Sequence, residues 1–123
     1  MNVTIYQYPG CSNCRRALKF LRQQEIPFES IDISLTAPGR EQLLMMLQAY
    51  GGQLKKLFNT SGQKYRQLAL KDRLPRMSTD EALALLASNG MLVKRPFVLW
   101  SEGALLGFKE SEWRQQLLGG NDR

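Results

Sequence analysis

The sequence predicts an α/β fold in which helices pack on a mixed β-sheet. Three observations lead to this prediction. The beginning of the chain follows strand and helix patterns in the order β-α-β, and the end follows the order β-β-α. The stretch between them, at about residues 38–90, shows only helical patterns. Because 123 residues suit one core, we expect residues 1–123 to form a single domain with a helical insertion.

A change of hydrophobic period marks the opening β-α-β unit. Val3 and Ile5 alternate with their neighbours, as in a strand, and a proline-glycine pair ends this pattern. From Cys14 onward the apolar residues follow helical spacing, and Pro27 predicts the end of this helix. The segment "PFESIDI" alternates again and predicts a second strand. Such a crossover favours a parallel, right-handed pair of strands.

The middle of the chain predicts several helices. One should begin at about Gly39 and end at a glycine pair, followed by short helices with an exposed polar loop. Ser78 and Glu81 have the spacing of a capping box, in which each side chain binds the other residue's backbone N–H. A well-defined helix should therefore begin there, with an Asn-Gly pair at its end.

The last part of the chain predicts a hairpin and a helix. The runs "FVLW" and "ALLGF" are separated by "SEG", a spacing typical of a β-hairpin. A final helix should run through Trp113 and Leu117 to Gly119-Gly120. The complete order, β-α-β, helical insert, β-β-α, is that of a thioredoxin-like sheet interrupted between its two halves.

The composition excludes several classes of protein. Hydrophobic residues make up 43% and charged residues 23%, as in soluble domains, and no apolar run approaches the roughly 20 residues that cross a bilayer. The N-terminal segment does not resemble a secretory signal, so we expect a cytoplasmic protein without a membrane partner. The net charge of +6 favours anionic partners, but its scattered distribution argues against direct nucleic-acid binding.

Both cysteines lie in "PGCSNCRR", where the first strand gives way to the first helix. In a reducing compartment a CxxC pair indicates catalysis, redox sensing or metal binding rather than a permanent disulfide. The chain has no histidine, which excludes Cys-His and Ser-His-Asp catalysis, and two cysteines alone do not complete a zinc site. We therefore expect no metal and no bound cofactor, and we favour a redox or nucleophilic site.

Cys11 is the predicted nucleophile. An ordinary cysteine has a pKa of about 8.5, so it is mostly protonated at neutral pH. The free N–H groups and the dipole at a helix start favour an anion by about 0.3–1 kcal/mol, and Arg15 and Arg16 add positive charge. The polar neighbours Ser12 and Asn13 argue against a simple core position for Cys11.

Cys14 is the predicted resolving thiol, and an inert core cysteine is the alternative. It lies one helical turn after Cys11 on the inward apolar stripe. Its sulfur should therefore approach that of Cys11 while being less open to solvent. Free cysteines are also often buried without any reactive role.

Arg95-Pro96 is the second candidate feature, directly before the "FVLW" strand. Proline suits the first residue of a strand and tolerates a cis peptide bond. The Arg95 guanidinium offers a planar fork of donors that suits an oxyanion, although a surface salt bridge would use it equally well.

The segments "YQYPGCSNCRRALKFLRQQEIPFESIDI" and "MLVKRPFVLWSEGALLGFKESEW" resemble the arsenate reductase-related family, which includes the Spx transcriptional regulators. The resemblance covers almost the whole chain. In the reductase branch it implies that Cys11 attacks arsenate and that glutathione or glutaredoxin resolves the adduct. It also implies three arginines around the oxyanion. Arg95 matches one of them, whereas Asn59 and Lys109 fall at the other two, so we do not expect efficient arsenate reduction.

The regulator branch resembles this chain more closely in its CxxC pair. That resemblance implies a protein that senses oxidation through a Cys11–Cys14 disulfide and binds RNA polymerase. Gly52 falls near a glycine that such regulators use for this contact, although a helix end explains it equally well.

Three interpretations therefore remain. The leading one is a thiol oxidoreductase that acts on a small oxyanion or a disulfide, with glutathione, glutaredoxin or thioredoxin as candidate electron donors. The alternatives are a redox-responsive regulator that binds RNA polymerase and a fold with inert cysteines.

Overall fold

The computed structural model describes residues 1–119, which contain one four-stranded mixed sheet. The strands are β1 (Val3–Gln7), β2 (Phe28–Asp32), β3 (Phe97–Trp100) and β4 (Gly103–Leu106), in the spatial order β2-β1-β3-β4. β1 pairs parallel with β2 and antiparallel with β3, and β3 pairs antiparallel with β4. The predicted α/β fold with a thioredoxin-like mixed sheet is confirmed.

Six α-helices accompany the sheet in this part of the chain. They are α1 (Ser12–Gln23), α2 (Arg40–Ala49), α3 (Gln63–Gln67), α4 (Leu70–Arg73), α5 (Thr79–Ser88) and α6 (Glu110–Leu118). Short 3-10 turns lie at Leu54–Leu57, Leu74–Arg76 and Gly90–Leu92. The helices α2 to α5 all fall between β2 and β3, where the sequence shows helical patterns. α6 ends at Leu118 with Gly119 as its C-cap residue, and Gly120 lies outside the described residues.

The sheet separates two apolar cores, because successive residues of a strand point to opposite faces. On one face Ile5 packs with α1 and α6, where the rings of Phe20 and Trp113 meet edge to face. The buried indole N–H of Trp113 donates to the Gly107 carbonyl at 3.0 Å, so this polar group is satisfied. On the other face Tyr6 packs with α2, α5 and the shorter helices. The cysteine-bearing helix thus belongs to a different layer from the insertion.

The start of α5 follows the sequence signal closely. The Ser78 N–H donates to a carboxylate oxygen of Glu81 at 2.9 Å, and the Glu81 N–H donates to the Ser78 hydroxyl at 3.1 Å. This reciprocal pair confirms the predicted capping box. At the other end, Gly90 is required for packing, because a β-carbon there would lie 1.8 Å from the Ile33 carbonyl oxygen.

The end of α1 differs from the prediction. The helix ends at Gln23, before Pro27, because Glu25 adopts a left-handed conformation with φ of 55°. The Glu25 N–H donates to the Arg22 carbonyl and the Ile26 N–H donates to the Leu21 carbonyl, which together form a Schellman motif. A glutamate in this position gives no sequence signal, since glycine usually occupies it.

The hairpin is tighter than predicted. Gly103 pairs with Trp100 as the first residue of β4, which leaves a two-residue loop between the strands. A β-carbon at Gly103 would lie 2.6 Å from the Trp100 ring, so the ring needs a glycine beneath it. β4 ends at Leu106, because Gly107 has a φ of 71° and turns the chain away.

Candidate active site

Cys11 is the N-cap residue of α1 and is partly exposed at the end of the loop that follows β1. Its sulfur accepts a hydrogen bond from the Cys14 N–H at 3.3 Å, one of the donors that the first helical turn leaves free. The Cys11 N–H donates to the Tyr8 carbonyl at 3.0 Å, which fixes the loop. The sulfur therefore lies where the backbone dipoles of the helix favour negative charge.

Cys14 is completely buried, whereas Cys11 is partly exposed. The two cysteines do not form a disulfide. The pKa of the Cys14 thiol is raised to about 12, first by burial and then by its side-chain hydrogen bond with Cys11. A backbone hydrogen bond at Tyr8 and the positive charge of Arg95 oppose this rise. Near neutral pH Cys14 is therefore a protonated thiol within hydrogen-bonding reach of the Cys11 sulfur.

Arg95 acts on the Cys14 thiol from a position just before β3. Its Nη1 donates to the carbonyls of Met91 and Val93 at 3.2 and 3.4 Å, and its guanidinium carbon lies 5.4 Å from the centre of the Tyr8 ring. The peptide bond to the buried Pro96 is cis. Both hydrogen bonds use the same nitrogen, so Nε and Nη2 lie outside them and can meet an anion.

Asn59 comes close to Arg95 through an irregular part of the insertion. The two residues line one cavity of about 300 Å³. An isolated β-bridge between Phe58 and Val93 holds the two segments together, and the Asn59 N–H donates to the Leu92 carbonyl at 2.7 Å. Neither cysteine lines this cavity. Asn59 thus lies beside Arg95 and adds no charge to this cavity.

The residues around the two cysteines mostly stabilise the loop. Arg15 donates to the Pro9 carbonyl at 2.9 Å, and Asn13 accepts a hydrogen bond from Arg16. Ser12 is exposed as the first residue of α1. These arginines therefore carry their charge on the solvent side of the helix start.

Lys109 does not join this group. It is exposed at the N-cap of α6, and no hydrogen bond or ion pair within residues 1–119 links it to Cys11, Cys14 or Arg95. The structure thus brings Arg95 close enough to act on Cys14 and its neighbour Cys11, and it places Asn59 beside Arg95 in a cavity that neither cysteine lines. Lys109 lies outside both groups.

Tyr8 is a site residue that the sequence analysis did not identify. Its carbonyl binds Cys11, its backbone binds Cys14, and its ring lies beside the Arg95 guanidinium. A β-carbon at Gly10 would lie 2.9 Å from this ring, so Gly10 allows the ring to lie over the loop. An aromatic residue just before "PGC" was the available signal.

Residues 1–119 contain neither a candidate metal site nor a candidate membrane-spanning helix. No group of three or more His, Cys, Asp or Glu side chains there could hold a metal ion. Within the same residues, none of the helices combines the length and the apolar character that crossing a membrane requires.

The proteins whose sequences are similar to this chain include an uncharacterised protein and a transcriptional regulator. YusI, an uncharacterised protein of Bacillus subtilis, is 45% identical over 115 residues, which cover 94% of this chain and 98% of YusI. The global transcriptional regulator Spx of Streptococcus agalactiae is 28% identical over 112 residues, which cover 91% of this chain and 80% of Spx.

Solved structures share the same fold. An ArsC family related protein from Bacteroides fragilis superposes with a TM-score of 0.87 at 42% identity, over 94% of this chain and 97% of that one. An arsenate reductase from Vibrio cholerae superposes with a TM-score of 0.77 at 28% identity, over 98% of each chain. The profile of the ArsC family matches residues 6–116. Because this match includes both cysteines, Arg95 and every strand except the start of the first, the chain belongs to the ArsC family.

Proposed function

We propose that this chain is a thiol oxidoreductase in which Cys11 is the nucleophile and Cys14 is the resolving thiol. One observation carries the proposal: two free thiols lie at the start of α1, and the partly exposed sulfur is hydrogen-bonded to the buried one. Its membership of the ArsC family and its likeness to an arsenate reductase support thiol chemistry at this place.

The pair can reduce a disulfide in two exchange steps. The Cys11 thiolate attacks one sulfur of the substrate, forms a mixed disulfide and releases the first substrate thiolate, which takes up a proton. Cys14 then loses its proton and attacks the Cys11 sulfur, which releases the second substrate thiolate and forms the Cys11–Cys14 disulfide. The substrate gains two electrons. An external thiol donor, such as glutathione, glutaredoxin or thioredoxin, must return two electrons to the protein.

The electrostatics of Cys14 suit this order of steps. Before the first attack, the Cys11 sulfur raises the pKa of Cys14 through a hydrogen bond and through its charge. In the mixed disulfide Cys11 no longer carries that charge, whereas Arg95 still lowers the pKa of Cys14. Cys14 should therefore lose its proton more easily after the first step than before it.

We propose that Arg95 binds the anionic part of the substrate and stabilises the Cys11 thiolate. Asn59 would provide a neutral amide beside it, and Ser12, Asn13, Arg15 and Pro96 would support the loop and the strand start. A single guanidinium provides weaker oxyanion binding than three would, because bidentate donors are lost at Asn59 and Lys109. We therefore favour a disulfide over arsenate as the substrate.

Parallel assays with arsenate, glutathione disulfide and a protein disulfide test this function. Cys11→Ser should abolish turnover, because no nucleophile remains. Cys14→Ser should retain the first step and stall, so the intact mass of the variant should increase by one substrate thiol on Cys11. Ser61→Ala, at an exposed serine outside the candidate site, is the matched control and should retain the activity. Equal rates in the parent and Cys11→Ser would refute the proposal.

The Spx relatives favour a second candidate function, in which the same pair acts as a redox switch for binding RNA polymerase. Gly52 is exposed, and its φ of 79° and its N–H bond to the Leu47 carbonyl fit a helix end. A pull-down with RNA polymerase under oxidising and reducing conditions tests this candidate. Binding in one redox state, lost in Cys14→Ser, would support it. If the polymerase binds in neither state, this candidate is wrong, whereas the oxidoreductase proposal is unaffected.

A further inference from the structure

A second cavity, of about 440 Å³, lies away from the two cysteines. Its walls include the aromatic residues Tyr50 and Phe58. Three lysines stand around it, Lys55, Lys56 and Lys94, and none of the described residues that line it is acidic. The size lies within the range of sites for small organic ligands.

The β-bridge between Phe58 and Val93 separates this cavity from the one beside Arg95. The Lys94 N–H donates to the Leu57 carbonyl at 2.9 Å, which fixes the register of the bridge. Successive side chains of extended segments point to opposite sides. Accordingly Phe58 and Lys94 line the larger cavity, whereas their neighbours Asn59 and Arg95 line the other. We call the larger space the lysine cavity.

The apolar wall of the lysine cavity is held in place by the fold. The Tyr50 hydroxyl accepts a hydrogen bond from the Leu106 N–H at 2.8 Å, which fixes the ring against the edge strand β4. Phe58 is almost completely buried, and the ring of Tyr65 lies beside it. A ligand that enters the cavity would therefore meet a preformed flat surface.

The charge of the cavity is positive. The Lys56 ammonium lies 5.8 Å from the centre of the Tyr50 ring, and the side chain of Lys94 passes beside Gly107. All three lysines are exposed, so their charges can reach an incoming anion. Burial raises the pKa of the Tyr50 phenol, and the carboxylate of Glu112 on α6 adds to this rise. Three cations therefore line the cavity, and no carboxylate among its described lining residues offsets them.

We propose that the lysine cavity binds a nucleoside diphosphate. The base would stack on the Tyr50 ring in place of the Lys56 ammonium, as bases stack on aromatic side chains in other nucleotide sites, and the phosphates would pair with the lysines. A flat ring and a multiple negative charge in one small molecule match the two features of the cavity. This inference does not depend on the chemistry of Cys11 and Cys14.

Isothermal titration calorimetry of the full chain with ADP tests the proposal. ADP should bind at one saturable site, and raising the salt concentration should weaken it, because ions screen exposed charges. Adenosine supplies the ring without the charge, and pyrophosphate supplies the charge without the ring. Each should bind at least about tenfold more weakly than ADP, since base stacking and charge pairing each contribute on this scale.

Variants locate the site. Lys56→Gln and Lys94→Gln should each weaken ADP binding about fivefold or more, and Tyr50→Leu should weaken it about tenfold by removing the stacking surface. Lys64→Gln is the matched control, because Lys64 is exposed but lines the cavity beside Arg95, and it should leave binding unchanged. Cys11→Ser should also bind ADP normally, so failure here and failure of the oxidoreductase proposal are distinguishable.

Two results would overturn the inference. One is the absence of saturable ADP binding at low salt. The other is equal binding of ADP and pyrophosphate with equal losses in Lys56→Gln and Lys64→Gln, since this would indicate attraction by the general surface charge. If Tyr50→Leu does not fold, the comparison of ADP with pyrophosphate in the parent still decides whether the ring contributes.

Discussion

Alkylation of the folded chain with iodoacetamide should modify Cys14 far more slowly than an ordinary cysteine. A rise of the pKa from 9.0 to about 12 lowers the thiolate fraction near neutral pH about 1,000-fold. A more basic thiolate is also more nucleophilic, and a Brønsted coefficient of about 0.4–0.5 restores about 15- to 30-fold of this loss. The Cys14 rate should therefore fall about 30- to 70-fold, and its complete burial should lower the rate further.

The assay is a time course of alkylation, followed at each cysteine by peptide mass spectrometry. The same chain in urea is the control, because unfolding gives both thiols similar surroundings and their rates should agree within about twofold. In the folded chain the Cys14 rate should rise about tenfold per pH unit up to pH 9 without a plateau. A folded Cys14 that reacts within a few-fold of its unfolded rate, or that reaches a plateau below pH 9, would refute the reasoning.

Three further predictions concern stability, measured by urea unfolding. The folded pKa of Cys14 is raised, so its protonated thiol stabilises the fold below about pH 9 and this contribution is lost towards about pH 12. The difference in free energy of unfolding between the parent and Cys14→Ala should therefore become smaller from about pH 9 to about pH 12. A difference that stays constant over this pH range would contradict the prediction. Ser78→Ala should cost about 1 kcal/mol by removing the helix cap, and no change would show that the capping box is dispensable. Gly90→Ala should cost about 3 kcal/mol or more, because its β-carbon would overlap the Ile33 carbonyl. Gly52→Ala, which has open space around it, should cost only about 1–2 kcal/mol for its left-handed backbone, and equal costs at the two glycines would argue against the overlap.

The elements that the sequence predicts well are those specified by neighbouring residues. Alternation in β1 and the reciprocal Ser78 and Glu81 bonds require only short-range information, and the structure contains both. The end of α1 could not be predicted in the same way. Ile26 is buried in the core beside α1 and α6, and reaching that position requires Glu25 to turn the chain. The core therefore decides where this helix ends, and no local signal reports it.

The same distinction applies to the candidate site. The helical spacing of Cys11 and Cys14 places their sulfurs together from sequence alone. The position of Tyr8 beside Arg95 depends on the antiparallel pairing of β1 with β3, which joins distant parts of the chain. The hydrogen bond between Asn59 and Leu92, in the segment before Arg95, likewise depends on an isolated bridge that no periodic pattern predicts.

The β-bridge between Phe58 and Val93 determines which cavity each of the following residues, Lys94 and Arg95, enters. The number of residues after Val93 therefore matters more for the two cavities than the identity of any one of them. Deleting Lys94 would move the guanidinium of Arg95 into the space of the missing ammonium, and Cys14 would lose the positive charge of Arg95. Inserting one residue would have the mirror-image effect. A substitution here changes one cavity at a time, whereas adding or removing one residue alters both cavities at once.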